Sequence, residues 1–385
     1  MHVLWKSLKV LFGLVGGLAV LFVVVSVVYI QMVDYDSTVV AWPEEEDFKD
    51  PVPWVPDDPK RVRILSIDGG GIHGIVSLEL LKFLEQQSGK PISELFDVFA
   101  GPSTGSIIST ALLIPDDTGK PQYSVEDVIE QYESLGTTIL SAPLYHQMLT
   151  LNGLLGPRLL NHSKIVVDHK LFGGHRFGDL LRPTLVPLYS RSKAGFVTFR
   201  NWDKTESNIK LGALIAAATS VPTYFPAMQL SGHEDYSGLY ADALFILNNP
   251  AHAAFLHALE RYPDAEFVIV SLGVKQADVV SEEWGVKGGL FQWLMPIFSM
   301  VLQGQSDLTA QDLSRMATIK ESFKLDFFSL APELPLDIGP MDASKDNIAQ
   351  MRSLTSAYIE KNRSELEEIV ALLTGGEQKQ TAASK

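Results

Sequence analysis

The distribution of apolar residues divides the chain into three parts. An apolar run without charged residues extends from Val10 to Ile30. From Arg61 to Gly273, short apolar runs lead into glycine-containing turns and then into segments of helical periodicity. The chain after Gly273 is mainly helical in character. Alternation of strand, turn and helix in the middle part predicts an α/β domain with an at least partly parallel sheet.

The start of this middle part predicts a βαβ unit. Arg61–Ile67 is the first predicted core strand, and Ile75–Gln87 follows as an amphipathic helix that Gly89 is well placed to end. The apolar run Leu95–Ala100 predicts the next strand, and Ser106–Leu113 predicts the helix after it. Both turns between strand and helix therefore lie where parallel sheets bind ligands.

The N-terminal run is long enough to cross a bilayer as one helix, for which about 20 residues suffice. Lys6 and Lys9 precede it and acidic residues follow it, so the positive-inside rule places the N-terminus in the cytoplasm and the remainder outside. The alternative is a cleaved signal peptide and a secreted protein. Signal peptides have shorter apolar runs of about 7–15 residues, and Val24–Ser26 is only a weak cleavage site. We therefore favour a single-pass anchor formed by residues 1–33.

The rest of the chain is divided by composition. Residues 34–60 are rich in acidic residues and proline and predict a linker that packs poorly, although Trp42 and Trp54 lie within it. Residues 61–275 form the predicted catalytic domain, residues 276–373 a helical extension packed on it, and residues 374–385 a disordered tail. Within the extension, the run Leu290–Leu302 is too short to span a bilayer. We favour a place in the core for it over a cover for the site or a lipid contact.

Charge and cysteine content narrow the function. The net charge is −15, and no run of Lys or Arg supplies the basic face of a nucleic-acid-binding protein. The same acidity disfavours electrostatic docking on anionic lipid, so any membrane attachment is expected to be hydrophobic. Because the chain has no cysteine, disulfides, cysteine–zinc sites and thiol nucleophiles are excluded.

Residues 101–105, Gly-Pro-Ser-Thr-Gly, carry the clearest chemical motif. A Gly-x-Ser-x-Gly sequence between a strand and a helix is typical of a nucleophile elbow, in which a tight turn exposes the serine oxygen. The turn places Ser103 at a helix N-terminus, where free N–H groups favour negative charge. Ser103 is therefore the predicted nucleophile.

A second glycine-rich turn, residues 68–74 (Asp-Gly-Gly-Gly-Ile-His-Gly), follows the first strand. We interpret Gly69, Gly70 and Gly71 as an oxyanion hole, because consecutive glycines let backbone N–H groups approach a developing negative charge. A plain tight turn is one alternative. A dinucleotide site is another, but it requires an acidic residue at the end of the second strand, and the chain has Ala100 and Gly101 there.

A nucleophilic serine needs a base. None of the histidines after Ser103 lies in an evident strand-end loop, and each is expected to be a surface or core residue: His146, His162, His169, His175, His233, His252 and His257. Asp242 ends a predicted strand over 236–241 and precedes an apolar stretch. A carboxylate can deprotonate serine if partial desolvation raises its pKa.

The set of motifs resembles the patatin-like phospholipases. The glycine turn, the serine elbow and Asp242-Ala243 occur in that family's order and approximate spacing, together with residues 217–226 (Ala-Ala-Thr-Ser-Val-Pro-Thr-Tyr-Phe-Pro) and Asn248–Pro250. The resemblance covers about residues 61–273. It implies a three-layer α/β/α fold with a mainly parallel sheet, a Ser103–Asp242 dyad without catalytic histidine, and lipid acyl hydrolysis without metal or cofactor.

Two positions depart from the family pattern. His73 stands where the family usually has arginine, and Ala243 stands where it usually has glycine. The predicted function is a membrane-anchored lipid acyl hydrolase of phospholipase A type that acts on carboxylic esters. An acyltransferase or small-ester esterase on the same dyad, and a non-catalytic membrane-tethered binding protein, remain the alternatives.

Overall fold

The computed structural model describes residues 2–33, 35, 38–54, 59–161, 164, 170–276, 287–319 and 324–375. The first half contains α1 (His2–Met32), β1 (Thr38–Val40), β2 (Arg61–Ile67), α2 (Gly74–Ser88), α3 (Ile92–Leu95), β3 (Val98–Ala100), α4 (Thr104–Ala111), α5 (Val125–Ile139), α6 (Leu144–Leu149), β4 (Thr184–Ser190) and β5 (Gly195–Arg200). The second half contains α7 (Leu211–Ala218), β6 (Met228–Ser231), β7 (Gly238–Asp242), α8 (Ala251–Arg261), β8 (Glu266–Leu272), β9 (Lys275–Gln276), α9 (Leu290–Thr318), β10 (Leu325–Leu330), β11 (Glu333–Leu334), α10 (Lys345–Lys361) and α11 (Arg363–Thr374).

One mixed sheet organises the described part of the chain. Its strand order is β1-β6-β7-β4-β3-β2-β8-β10, with β5 paired to β4 as a ninth strand. The pairs from β4 through β3, β2 and β8 to β10 are all parallel, whereas β4 pairs antiparallel with both β5 and β7. The predicted βαβ unit and mainly parallel sheet are therefore confirmed.

Both faces of this sheet are buried. Along β2, Leu65 and Ile67 pack into one apolar cluster with α2, whereas Val62 and Ile64 pack into a second cluster with α8. Side chains on a strand alternate between faces, so a strand that is apolar at both sets of positions needs cover on both sides. The result is the predicted three-layer α/β/α arrangement.

Three predicted features differ from the structure: the boundaries of two strands and the secondary structure of the C-terminal part. Leu95 ends a short helix, and only Val98–Ala100 is strand, because Phe96 and Asp97 turn the chain into the sheet. The C-terminal part is not only helical: β10 pairs with β8 and extends the sheet. The predicted strand over 236–241 is observed as Gly238–Asp242.

The predicted linker packs against the domain in its described part. β1 pairs with β6, and the indole of Trp42 is buried, with its Nε1 donating to the Thr205 carbonyl at 3.0 Å. Trp54 lies edge-on to Trp202. These aromatic residues supply the apolar burial that an acidic, proline-rich segment otherwise lacks.

The N-terminal helix is the one candidate membrane span in the described residues. Within α1, Phe12–Met32 is apolar, and only 6% of its most apolar window is buried in the protein. Length and composition suit a membrane-spanning helix, and a signal sequence near the N-terminus meets the same criteria. Of the predicted tail, residues 374–385, Thr374 ends α11 and Gly375 caps it, and residues 376–385 lie outside the described residues.

Candidate active site

Ser103 occupies a strained turn between β3 and α4. Its backbone has φ 49° and ψ −127°, a conformation that costs a non-glycine residue about 1–3 kcal/mol and that clusters at functional sites. The turn is tight because α4 starts directly against β2. A Cβ at Gly105 would lie 2.1 Å from the Ile67 carbonyl oxygen, so only glycine fits there. The motif at residues 101–105 thus forms the predicted elbow.

Asp242 reaches this turn from the other side. β4 continues past the end of β3, and the antiparallel β7 places Asp242 opposite Leu188 of β4. The Asp242 N–H donates to the Ser220 carbonyl at 3.0 Å, and its Oδ1 accepts the Leu244 N–H at 2.9 Å. The mixed sheet therefore brings together two residues that are far apart in sequence.

The Asp242 carboxyl group is tuned by burial. Desolvation raises its pKa to about 7, while the Ser103 side chain, the Leu244 N–H and the nearby Lys164 oppose that rise. Ser103 faces the carboxylate but does not form a full hydrogen bond with it, since Oδ2 of Asp242 has no hydrogen-bond partner among the described residues. Such loose contacts are common before substrate binds.

Lys164 is a site residue that the sequence analysis did not identify. Its Nζ donates to the Ser220 Oγ at 2.6 Å and to the Ala216 carbonyl at 3.0 Å, and its side chain is buried. Burial lowers the pKa of Lys164 to about 7, and Asp242 opposes that shift. Lys164 also holds the residue whose carbonyl accepts the Asp242 N–H. A single lysine has no sequence motif, so only the fold reveals it.

The glycine turn lies beside Ser103, and its three predicted oxyanion donors differ in whether their N–H groups are already hydrogen-bonded. The Gly69 N–H donates to the Asn248 carbonyl at 3.3 Å. The N–H groups of Gly70 and Gly71 donate to no group in the described part of the chain. Of the three predicted oxyanion donors, Gly70 and Gly71 are therefore the ones with free N–H groups.

Gly71 is fixed from both sides. Its carbonyl accepts hydrogen bonds from the Thr104 Oγ1 at 2.7 Å and the Tyr132 hydroxyl at 2.5 Å. Its φ is +57°, and a Cβ there would lie 2.2 Å from the Pro340 carbonyl oxygen. Pro340 also accepts the Ile72 N–H at 2.8 Å, so the loop around Pro340 holds the glycine turn in place.

We expect Gly71→Ala to lower the free energy of unfolding by about 2–4 kcal/mol, because it adds a backbone clash to an unfavourable φ. Urea denaturation monitored by circular dichroism measures the change. Gly119→Ala is the matched control, since Gly119 has φ +80° and open space around its Cβ position. The control is expected to lose about 1 kcal/mol. Equal losses in the two variants would contradict the clash with Pro340.

Helix α9 covers one side of the site. The Ser306 hydroxyl donates to the Asp68 Oδ2 at 2.7 Å and accepts from the Asn248 Nδ2 at 3.1 Å. The Gln305 side chain bonds to the Asn248 N–H and to the Phe245 carbonyl. Ser103 and Asp242 are only 5% and 3% exposed. Access by a large substrate therefore requires movement of the elements around the dyad.

The predicted core position of Leu290–Leu302 holds for only part of its described side chains. Pro296 is buried and Phe298 packs against Phe245, whereas Ile297, Met300 and Val301 are 46%, 58% and 37% exposed. The apolar run is therefore divided between packed and exposed side chains, and Leu313 in the later part of α9 enters the core.

His73 and Ala243 have plain structural roles. The His73 Nε2 donates to the Ile338 carbonyl at 2.9 Å, and burial lowers the pKa of the ring, which disfavours the positive charge that an arginine would supply there. Ala243 is buried and is not among the described non-glycine residues with positive φ. Its methyl group therefore causes no backbone strain.

The remaining candidates are structural. His146 is buried, His233 contacts Trp42, and His257 contacts Trp202; His175 and His252 are partly buried, and His162 and His169 lie outside the described residues. The described residues contain no group of three or more side chains suited to hold a metal ion.

Comparison with known proteins identifies the class to which this fold and site belong. Residues 65–255, which include the glycine turn, Ser103 and Asp242, match the family model described as Patatin-like phospholipase. The chain belongs to the patatin-like family.

Individual relatives are distant. Patatin-like protein 1 of Arabidopsis thaliana is 27% identical over 288 residues, which cover 64% of this chain and 69% of that protein. A protein named Probable inactive patatin-like protein 9, from the same plant, is 26% identical over 238 residues, covering 56% and 61% of the two chains. Human GIVD cytosolic phospholipase A2 aligns structurally with a TM-score of 0.44 and 10% identity, over 82% of this chain and 60% of that one.

Proposed function

We propose that the protein is a serine lipid acyl hydrolase of phospholipase A type, with Ser103 as nucleophile and Asp242 as base. The observation that carries this proposal is the meeting of a strained serine with a buried carboxyl group whose pKa burial raises to about 7. A base with that pKa is about half ionised at neutral pH and strong enough to take up the serine proton. Membership of the patatin-like phospholipase family supports a lipid ester as substrate.

The proposed reaction proceeds in two acyl-transfer steps. Asp242 accepts the Ser103 proton as Oγ attacks the ester carbonyl, and the N–H groups of Gly70 and Gly71 stabilise the oxyanion. Collapse of the tetrahedral intermediate breaks the ester bond, and the proton on Asp242 passes to the leaving alcohol. Asp242 then takes a proton from the water that attacks the acyl-enzyme. When the acyl–Oγ bond breaks and the fatty acid leaves, Asp242 returns that proton to the Ser103 Oγ.

One observation favours a non-catalytic alternative, namely that some relatives carry the word inactive in their names. This chain keeps Ser103, Asp242 and two free glycine N–H groups in one place. A protein that only binds lipid would not need a strained backbone at the serine. The two proposals therefore differ in whether Ser103 becomes acylated.

The test combines product release with covalent labelling. The full chain is incubated in mixed phospholipid micelles, and free fatty acid is measured. A fluorophosphonate is then added, and mass spectrometry locates the adduct. We expect fatty-acid release and an adduct on Ser103. A folded protein with neither would contradict the proposal, whereas labelling without release from phospholipids would retain the dyad and point to another ester.

The pH profile of kcat/KM should follow the ionisation of Asp242. Because the deprotonated form is the base, activity should fall about tenfold per pH unit below pH 7 and level off above it. Lys164 also has a pKa near 7, and its charge stabilises the Asp242 carboxylate. Lys164→Met is therefore expected to shift the midpoint to higher pH.

Asp68 supplies the control for this profile, because burial also raises its pKa to about 7. Its carboxylate contacts Ser306, so Asp68→Asn should leave the midpoint in place. If the midpoint near pH 7 disappeared in Asp68→Asn, the pH profile would report the ionisation of Asp68, and the assignment to Asp242 would be wrong. Circular dichroism at each pH excludes unfolding as the cause of lost activity.

A further inference from the structure

Residues 144–155 form an exposed apolar surface that the proposed chemistry does not use. Its members are 39–73% exposed: Leu144, Tyr145, Met148, Leu151, Leu154 and Leu155. The surrounding sequence from Ser134 to Pro157 contains no Asp, Glu, Lys or Arg, although the chain as a whole carries a net charge of −15. A contiguous exposed apolar patch without charges marks an interaction site.

One face of α1 packs against the 144–155 surface. The Tyr29 hydroxyl donates to the His146 Nδ1 at 2.8 Å, and the His146 Nε2 donates to the Pro157 carbonyl at 2.9 Å. Ile30 lies against Gly156, where a Cβ would come within 3.2 Å of its side chain. The ring of Tyr29 also meets Tyr145 edge-on. These contacts fix the position of the 144–155 surface along the axis of α1.

The 144–155 surface lies beside the last three turns of α1 and not beyond its C-terminal end. An open groove between α1 and the surface is lined by Phe22, Gln147, Met148, Leu151 and Asn152. At 1.5 Å per residue, Phe22 lies about 10 Å along the helix axis from Tyr29. If α1 leaves the bilayer at Tyr29, then Met148 and Leu151 lie up to about 10 Å inside the boundary between water and lipid.

We propose that residues 144–155 insert into the interface of the membrane that α1 spans and seat the catalytic domain on it. The occupant is a lipid bilayer because the surface continues the apolar surface of α1 and has no charged group to desolvate. Amphipathic elements that lie in the interface bury their apolar side about 5–10 Å deep. Tyr29 and Tyr145 lie where tyrosine is enriched at membrane boundaries.

The 144–155 surface is connected to the candidate active site through backbone hydrogen bonds. The Arg158 and Leu159 N–H groups donate to the Thr223 and Tyr224 carbonyls at 3.0 and 2.7 Å. That same loop begins at Ser220, whose carbonyl accepts the Asp242 N–H. Insertion of residues 144–155 would therefore hold the dyad close to the lipid surface. The insertion itself does not depend on hydrolysis.

The absence of cysteine makes a direct depth measurement possible. Single cysteines are placed at Met148, Leu154 and Phe196 in full chains that also carry Ser103→Ala, so that vesicle lipids stay intact. Each is labelled with an environment-sensitive fluorophore and reconstituted in phosphatidylcholine vesicles with or without nitroxide-labelled acyl chains. Phe196 is the matched control, since it is 53% exposed on β5. A fourth label at Val20 reports whether α1 is in the bilayer.

We expect nitroxide lipid to reduce fluorescence at M148C, L154C and V20C by at least about half, and to leave F196C unchanged. Quenching at V20C alone would overturn the proposal, because α1 would then enter the bilayer without the 144–155 surface. Quenching at no position, or equally at all four, would also overturn it. A second copy of the chain or another protein on this surface would shield the labels without nitroxide quenching and would count against the bilayer.

Discussion

Ser103→Ala is expected to lower kcat/KM for fatty-acid release by at least about 10³. The substitution removes the Oγ that forms the acyl-enzyme, and no other described hydroxyl group faces Asp242. The substitution does not relieve the strained backbone, since alanine adopts φ 49° no more easily than serine. Release of fatty acid from mixed micelles measures the loss.

Ser109→Ala is the matched control for this variant. Ser109 is a buried serine on α4, the helix that follows Ser103, and its Oγ donates to the Gly105 carbonyl at 2.7 Å, away from Asp242. It should retain activity within about threefold of the wild type. Full activity in Ser103→Ala, or equal losses in both variants, would refute the assignment of the nucleophile.

Asp242→Asn is expected to lower kcat/KM on the order of 10³, because the amide cannot accept the Ser103 proton. The asparagine Oδ1 can still accept the Leu244 N–H, so the local backbone should be retained. Asp68→Asn, at a second buried carboxyl group with raised pKa, should cost less than about tenfold. A similar loss in both variants would indicate a structural effect of burying an amide and not loss of a base.

Asp242→Asn, which lowers activity, should raise the free energy of unfolding at high pH. The folded-state pKa of Asp242 is about 7, above its unfolded value near 3.8, so folding favours the protonated form. Its stabilising contribution is full below the unfolded pKa and is lost as pH rises through 7. At pH 8 we expect Asp242→Asn to unfold with a free energy higher than the wild type by roughly 4 kcal/mol, and the difference should shrink towards pH 4. Urea denaturation at the two pH values measures it.

Local turn chemistry explains why the glycine turn and the elbow could be predicted. The glycines of the elbow are required by contacts inside the βαβ unit, such as Gly105 against Ile67, whereas Gly71 of the glycine turn is required by the distant Pro340 carbonyl. The spacing of strand, glycine and helix therefore carries the information in sequence. Asp242 is predicted from its strand end and from the family resemblance, because its approach to Ser103 joins two residues that are far apart in sequence.

Other parts of the site depend on contacts across the fold and have no local pattern. Lys164 reaches the Asp242 loop only through Ser220 and Ala216. Ser306 meets Asp68 from a helix whose apolar start resembled a core segment. Likewise, the acidic segment around Trp42 joins the sheet because a buried indole and a pairing with β6 outweigh its unfavourable composition.

The pairing of β8 with β10 fixes both ends of the connection that contains α9. Residues 267–272 and 325–330 are parallel neighbours in the sheet. Between them, Leu313 packs in the core and Ser306 bonds to Asp68, so the second half of α9 is tied to the scaffold. We expect insertions and deletions in this connection to be tolerated before Gln305 and to be costly after it, where they would shift the Ser306 contact.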